Sequence, residues 1–188
     1  RDPGLRAELG IDPDAHLLIF AGRGSREKNL PVLLDCMRNL GKAWHLLLVG
    51  SQMPSQVPDN VTVIDHFCPG TEVARDIASA DALVHAGDQE TFGLVILEAM
   101  ASGIPVVAVD AGAFSELVHD EVGILCQPNN PHAMADAVRE LFTHNPAQHG
   151  RLARQHAERH YSWDRVVQDL LIHYHAVLGS EQPVVAHV

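Results

Sequence analysis

The sequence is short of positive charge: Lys and Arg total 13 against 24 Asp and Glu, for a formal net charge of -11. That balance argues against a general nucleic-acid or anionic-membrane surface. An anionic ligand would need a local basic cluster. Cysteine is also scarce. Cys36, Cys68 and Cys126 stand far apart with no C-x-x-C, which reads as small buried hydrophobes in a reducing, cytoplasmic compartment. No apolar run is long enough to span a bilayer. The longest candidate, residues 92–109, is broken by Glu98 and by Ser102-Gly103-Ile104-Pro105. There is no signal-peptide pattern, and the chain opens abruptly on RDPGLRAELG, as an excised domain would. Internal repeats, low-complexity stretches and internal linkers are missing too.

What the chain does have is apolar content, 46% of 188 residues, enough for one domain with a real core. Short apolar runs alternate with helical patterns. Strands are expected at 16–22, 44–50, 61–65, 81–87, 105–109 and 122–126. Helices are expected at 29–40, 71–80, 92–102, 113–120, 131–144, 146–160 and 163–178. Continuous Val/Ile/Leu strands between helices predict an α/β fold: a Rossmann-like, doubly wound parallel sheet of six strands, with helices on both faces and extra C-terminal helices. The domain should fill residues 1–180, with 181–188 a flexible tail. Ligands of such sheets bind at the carboxyl ends of the strands. The loops to watch are therefore 22–28, 50–52, 65–70, 85–91 and 110–113.

The first loop, GRGSREKN, gathers Arg23, Arg26 and Lys28 in an otherwise acidic chain. Such a cluster is either an anion clamp or a solvated basic loop. It is not a dinucleotide fingerprint, because Glu27 takes the third glycine position. No GxxxxGK[ST] loop occurs, no GxSxG elbow occurs, and no DxD-type metal loop is expected. The fourth loop, HAGDQETFG, opens into a helix that Thr91 should cap. The amides of Phe92, Gly93 and Leu94 would then face the crevice and attract phosphate. Glu98 stands among Leu, Val, Ile, Ala and Met, where a buried helix is expected. A carboxylate there needs a partner, either a basic side chain or a ligand. It lies roughly 9 Å along the helix from residue 92, the right order for a ribose beside a bound phosphate.

These residues also carry a resemblance. ETFGLVILEAMASGIPVVAVDAG closely resembles the signature of the family-4 (group 1) glycosyltransferases, retaining enzymes of the GT-B fold. Glu90 and Glu98 resemble that family's E-x7-E pair, AGRGSREKN its GR-x4-K loop, and YSWDRVVQDLLIHYHAVL its closing helix. The resemblance implies a C-terminal, donor-binding domain for a nucleoside-diphosphate sugar, a UDP-sugar or GDP-sugar. Arg23 and Lys28 would grip the diphosphate, assisted by amides over Phe92, Gly93, Leu94 and Val95. Glu98 would hold the ribose hydroxyls, and Glu90 the transferred sugar, making Glu90, Arg23 and Lys28 the catalytic set. The base would lie near Asp65–Phe67, with Phe67 either stacking on it or sitting in the core. No metal or cofactor is implied.

The resemblance also implies that an N-terminal acceptor domain is absent. An acceptor sugar or lipid, and any peripheral contact with the inner membrane, would be reached through that half. The fragment alone would bind donor and be inactive. The alternative is a stand-alone, non-catalytic nucleotide-sugar-binding module. Two departures stand out: the family commonly has Pro-Ser at His85-Ala86 or Ala86-Gly87, and Gly-Gly at Gly112-Ala113. Of the 13 histidines, His156 and His160 read as a surface pair. His85 either packs or hydrogen-bonds a sugar or phosphate.

Overall fold

The computed structural model describes residues 3–178, so the tail expected over 181–188 lies outside the described residues. The chain runs α1 (Pro3–Glu8), β1 (His16–Ala21), a 3-10 turn (Arg26–Lys28), α2 (Leu30–Leu40), β2 (Trp44–Gly50), β3 (Val61–Asp65), α3 (Gly70–Ser79) and β4 (Ala82–His85). It continues through α4 (Leu94–Ala101), β5 (Val106–Val109), α5 (Phe114–Leu117), β6 (Gly123–Cys126), α6 (Pro131–Thr143), α7 (Pro146–His160) and α8 (Trp163–Leu178). The strands form one sheet in the order β3-β2-β1-β4-β5-β6, and every neighbouring pair is parallel.

The central strands β1, β4 and β5 are apolar apart from His16 and His85 at strand ends, because helices cover both faces. β4 and β5 are buried throughout, as are Leu17–Ala21 of β1. β3, at one edge, is buried only at Val61. α2 and α6 pack together on one face, while α4 packs with α3 and α7. Proline and asparagine set two of the later helices. Asn130 accepts from the N–H groups of His132 and Ala133, with Pro131 in the first turn. Asn145 accepts from the Gln148 N–H ahead of Pro146.

α1 has no counterpart among the expected helices. Its six residues are too few to show a period, and a tertiary contact holds it. Arg6 donates to the Ala15 carbonyl at 2.7 Å and to Asp81 Oδ2 at 2.9 Å. The same Asp81 oxygen accepts from the Leu17 N–H at the start of β1.

Strand order reverses at β1, which has β2 on one side and β4 on the other. The connections leaving β1 and β4 diverge there and open a crevice at their carboxyl ends. The crevice floor is backbone on backbone. Gly22 N–H donates to Val49 O at 2.9 Å, and Gly24 N–H to Ser51 O at 2.8 Å. Gly50 has φ +141°, and a Cβ there would sit 1.9 Å from Gly22 O. Gly50→Ala therefore costs ~3 kcal/mol or more in strain. The unfolding midpoint should fall by roughly 6–12 °C for a domain of this size; an unchanged thermal melt contradicts the packing described.

Candidate functional site

Above that floor lies a cleft of about 680 Å³, within the usual range for small-molecule sites. The ends of β1 and β2 supply Ala21, Gly22, Val49 and Gly50. Phe67 and Cys68 come from the loop after β3, and Val73 and Ile77 from α3. α4 contributes Leu94, Val95, Glu98 and Ala101. The wall is mostly apolar, with Arg23 and Glu98 as its charged members.

Glu98 corrects the expectation of burial. α4 turns Ile96, Ala99 and Met100 into the core and presents Leu94 and Glu98, one turn apart, to the cleft. The helix looked buried because its outward face also lines an apolar wall. Glu98 is exposed, yet the cleft strips enough water from its carboxyl to raise its pKa above the ordinary value. No hydrogen bond or ion pair to its side chain occurs among the described residues. The ion-pair alternative is thereby removed.

The start of α4 also differs from expectation. Thr91 is not the cap. Gly93 takes that place at φ +75°, and no side chain caps the helix. A Cβ on Gly93 would press on Phe114 at 3.0 Å. Phe92 is exposed and, like Gly93, lies off the cleft wall, whereas Leu94 and Val95 are on it. Phe67 is 86% exposed at the rim, which overturns its reading as core.

The basic cluster separates. Arg23 stands on the cleft wall, and its one ion pair among the described residues is with Glu27 at 4.0 Å. Ser25 donates to Glu27 and, as the largest cause, lowers the pKa of that carboxyl. Arg26 is exposed in the 3-10 turn and lies off the wall. Lys28 instead forms an ion pair with Glu90, both side chains more than four-fifths buried. Asn29 Nδ2, next along, donates to Ala86 O at 3.2 Å and ties the β1 loop to the β4 loop.

His85 ends β4 directly behind this pair. It is 1% exposed, with its ring 5.2 Å from Phe20 and 4.8 Å from Phe114. Its Nδ1 accepts the Gly87 N–H at 3.0 Å. Its Nε2 lies 3.8 Å from Glu90 Oε1 and has no hydrogen-bond partner among the described residues. Burial, with Lys28 adding to it, pushes the imidazole pKa down to about 3, so the ring is neutral near neutral pH.

Two groupings result: Arg23, Phe67, Leu94, Val95 and Glu98 on the cleft, and Lys28, Glu90 and His85 at the end of β4. Ala101 and Ser102 also stand on the wall; their one signal in the sequence is the run of small residues just beyond Glu98. Cys68 lies on the ligand-facing loop 65–70 and joins the wall there. Asp12-Pro13-Asp14 is a literal D-x-D triplet, but it precedes β1, at the opposite end of that strand from the cleft. Among the described residues no group of three His, Cys, Asp or Glu could hold a metal ion, and no helix is long and apolar enough to cross a membrane.

Residues 15–144 match the family model described as glycosyl transferases group 1. The chain is 34% identical to a D-inositol 3-phosphate glycosyltransferase of Mycolicibacterium gilvum, across 94% of its own length and 43% of the relative's. It is also 34% identical to a GDP-mannose-dependent alpha-mannosyltransferase of Mycobacterium tuberculosis, across 89% of its length and 45% of that protein's. It thus spans less than half the length of these relatives. Among solved structures, Anabaena HepE in complex with UDP-glucose superposes with a TM-score of 0.80 at 24% identity, over 94% of this chain and 54% of that one. That likeness is one of fold. With an all-parallel 3-2-1-4-5-6 sheet, a cleft at its switch point and a family match across most of its length, the chain belongs to the group 1 glycosyl transferases.

Proposed function

We propose that this chain is the donor-binding half of a retaining, family-4 glycosyltransferase of the GT-B fold. The whole enzyme moves a sugar from a UDP-sugar or GDP-sugar to an acceptor hydroxyl. The observation that carries this reading is Glu98: an unpartnered carboxylate on an apolar wall, its pKa raised by lost water. Two vicinal ribose hydroxyls supply the hydrogen bonds it lacks. Arg23 meets the diphosphate, Phe67 at the rim offers a face to the base, and the first amides of α4, Leu94 and Val95 among them, point where phosphate charge sits. The relatives' names support the donor class, one GDP-mannose-dependent and one structure holding UDP-glucose.

The chemistry follows from where charge develops. Breaking the glycosyl–phosphate bond leaves an anionic nucleotide and an oxocarbenium-like sugar. Fixed cations and dipoles aimed at the leaving group lower that barrier; Arg23, Lys28 and the α4 amides serve that role, and Glu90 orients the sugar. The reaction so drawn calls for no cofactor. The acceptor, a sugar or a lipid, sits on an N-terminal domain beyond this chain. Supporting that, α8 leaves Trp163 82% and Val177 85% exposed, an apolar surface suited to a second domain.

The test is a thermal-shift panel of UDP, GDP, ADP and their sugars. A ligand at 100 times its dissociation constant adds about 2.7 kcal/mol, which raises the midpoint by roughly 5–10 °C. UDP or GDP should produce that shift. A flat response to every nucleotide at millimolar concentration contradicts the reading.

A further inference from the structure

A neutral imidazole carries one N–H, and which nitrogen holds it is set by what the other nitrogen does. His85 Nδ1 accepts the Gly87 N–H, so the proton is on Nε2. Among the described residues that buried donor is unpartnered, a state that normally costs free energy. It faces Glu90 Oε1 at 3.8 Å, beyond hydrogen-bonding range. The same Glu90 oxygen accepts from Lys28.

The glycine is part of the same contact. A Cβ on residue 87 would lie 2.7 Å from His85 Cε1 and 2.9 Å from the Glu27 carbonyl oxygen. Gly87 therefore lets its own N–H reach the ring while Glu27 closes in from the β1 loop. His85 and Gly87 thus work as one device.

We infer that Glu90 is handed from Lys28 to His85 when a nucleoside diphosphate enters. This rests on the donor-binding reading above. In the free protein Lys28 and Glu90 neutralise each other. A diphosphate carries more charge than one carboxylate, competes for Lys28 and repels Glu90. The carboxylate then closes the remaining gap onto His85 Nε2–H and stays fixed and ionised for the sugar hydroxyls. A neutral donor suits the second position, because it holds the carboxylate without competing with Lys28 for phosphate. His85 is a positioning residue: it acts through Glu90.

The experiment is NMR of the histidine ring nitrogens in this chain. The free protein should show His85 as the Nε2–H tautomer. Lys28→Met, with no ligand present, should move the Nε2 proton downfield and slow its exchange with water. Saturating the wild-type chain with UDP or GDP should do the same. In the complete enzyme, His85→Leu should weaken nucleotide binding roughly tenfold or more, the factor for a hydrogen bond to a charged group made only in the bound state, and lower kcat as well. His85→Gln, which keeps an N–H, should recover most of the loss. An Nδ1–H tautomer, an Nε2 proton unmoved by Lys28→Met, or equal kcat for the Leu and Gln variants overturns the hand-over. The Lys28→Met spectrum needs no ligand, so it separates this inference from failure of nucleotide binding, which the thermal panel reads.

Discussion

Arg23→Ala or Lys28→Ala in the complete enzyme lowers turnover roughly 10²–10³-fold, the range for losing one fixed electrostatic stabiliser of a developing anion. The two variants separate chemistry from folding. Arg23 is mostly exposed, and among the described residues its one ion pair is with Glu27, at the 4.0 Å limit. Exposed pairs of this kind contribute little to stability, so Arg23→Ala should melt like the wild type while losing turnover. Lys28 sits in a largely buried pair with Glu90, and removing it leaves a largely buried carboxylate without its cation, with only the neutral His85 to turn to. Lys28→Ala should therefore melt lower as well as turn over more slowly. Steady-state kinetics beside a thermal melt read both. Turnover within twofold of wild type in either variant contradicts the placement of these cations at the leaving group.

Glu98→Gln weakens nucleotide binding by roughly 10–100-fold, because hydrogen bonds to a charged acceptor contribute about 1.5–3 kcal/mol, and yet it stabilises the empty protein. The second half of that statement follows from linkage. The folded-state pKa of Glu98 is raised by desolvation. Its contribution to stability is present in full below the unfolded pKa and is lost as pH rises through the folded pKa. At neutral pH the ionised side chain is thus a net cost to the free protein, and the neutral amide removes it. Binding runs the other way with pH. The hydroxyls need the ionised carboxylate, so nucleotide affinity falls as pH drops through the raised pKa of Glu98. Calorimetry and melting of Glu98→Gln check both signs. A variant that melts lower than wild type and binds equally well contradicts the assignment.

How much of this was legible depends on how local each signal was. β2 and β3 occupy the spans their apolar runs predicted, Trp44–Gly50 and Val61–Asp65. α6 and α7 could be placed because Asn-Pro pairs mark their starts. The strand ends of the two ligand loops were harder. β4 stops at His85, because the next residues serve the site and leave the ladder. α4 begins at Leu94, later than its apolar run suggested, because Gly93 adopts a left-handed conformation that no cap signal announces. α1 was missed because a distant carboxylate, Asp81, anchors it.

The site shows the same division. The residue types were readable from motif and charge, while their pairing was not. Lys28 and Glu90 are 62 positions apart, and only the sheet order brings their loops together. Glu98 looked buried because apolar residues that face a ligand cleft have the same composition as those that face a core. The exposure of Phe67 follows from its place on the loop beyond β3 at the sheet edge, a tertiary fact.

The most direct measurement compares a nucleoside diphosphate with its 2′,3′-dideoxy analogue, on the wild-type chain and on Glu98→Ala. The probe is UDP or GDP, whichever gives the larger thermal shift. If Glu98 holds the ribose, loss of both hydroxyls costs the wild type roughly 10–100-fold in Kd and costs Glu98→Ala almost nothing. Equal penalties in the two proteins would mean that the carboxylate on the apolar wall never touches the sugar of the nucleoside.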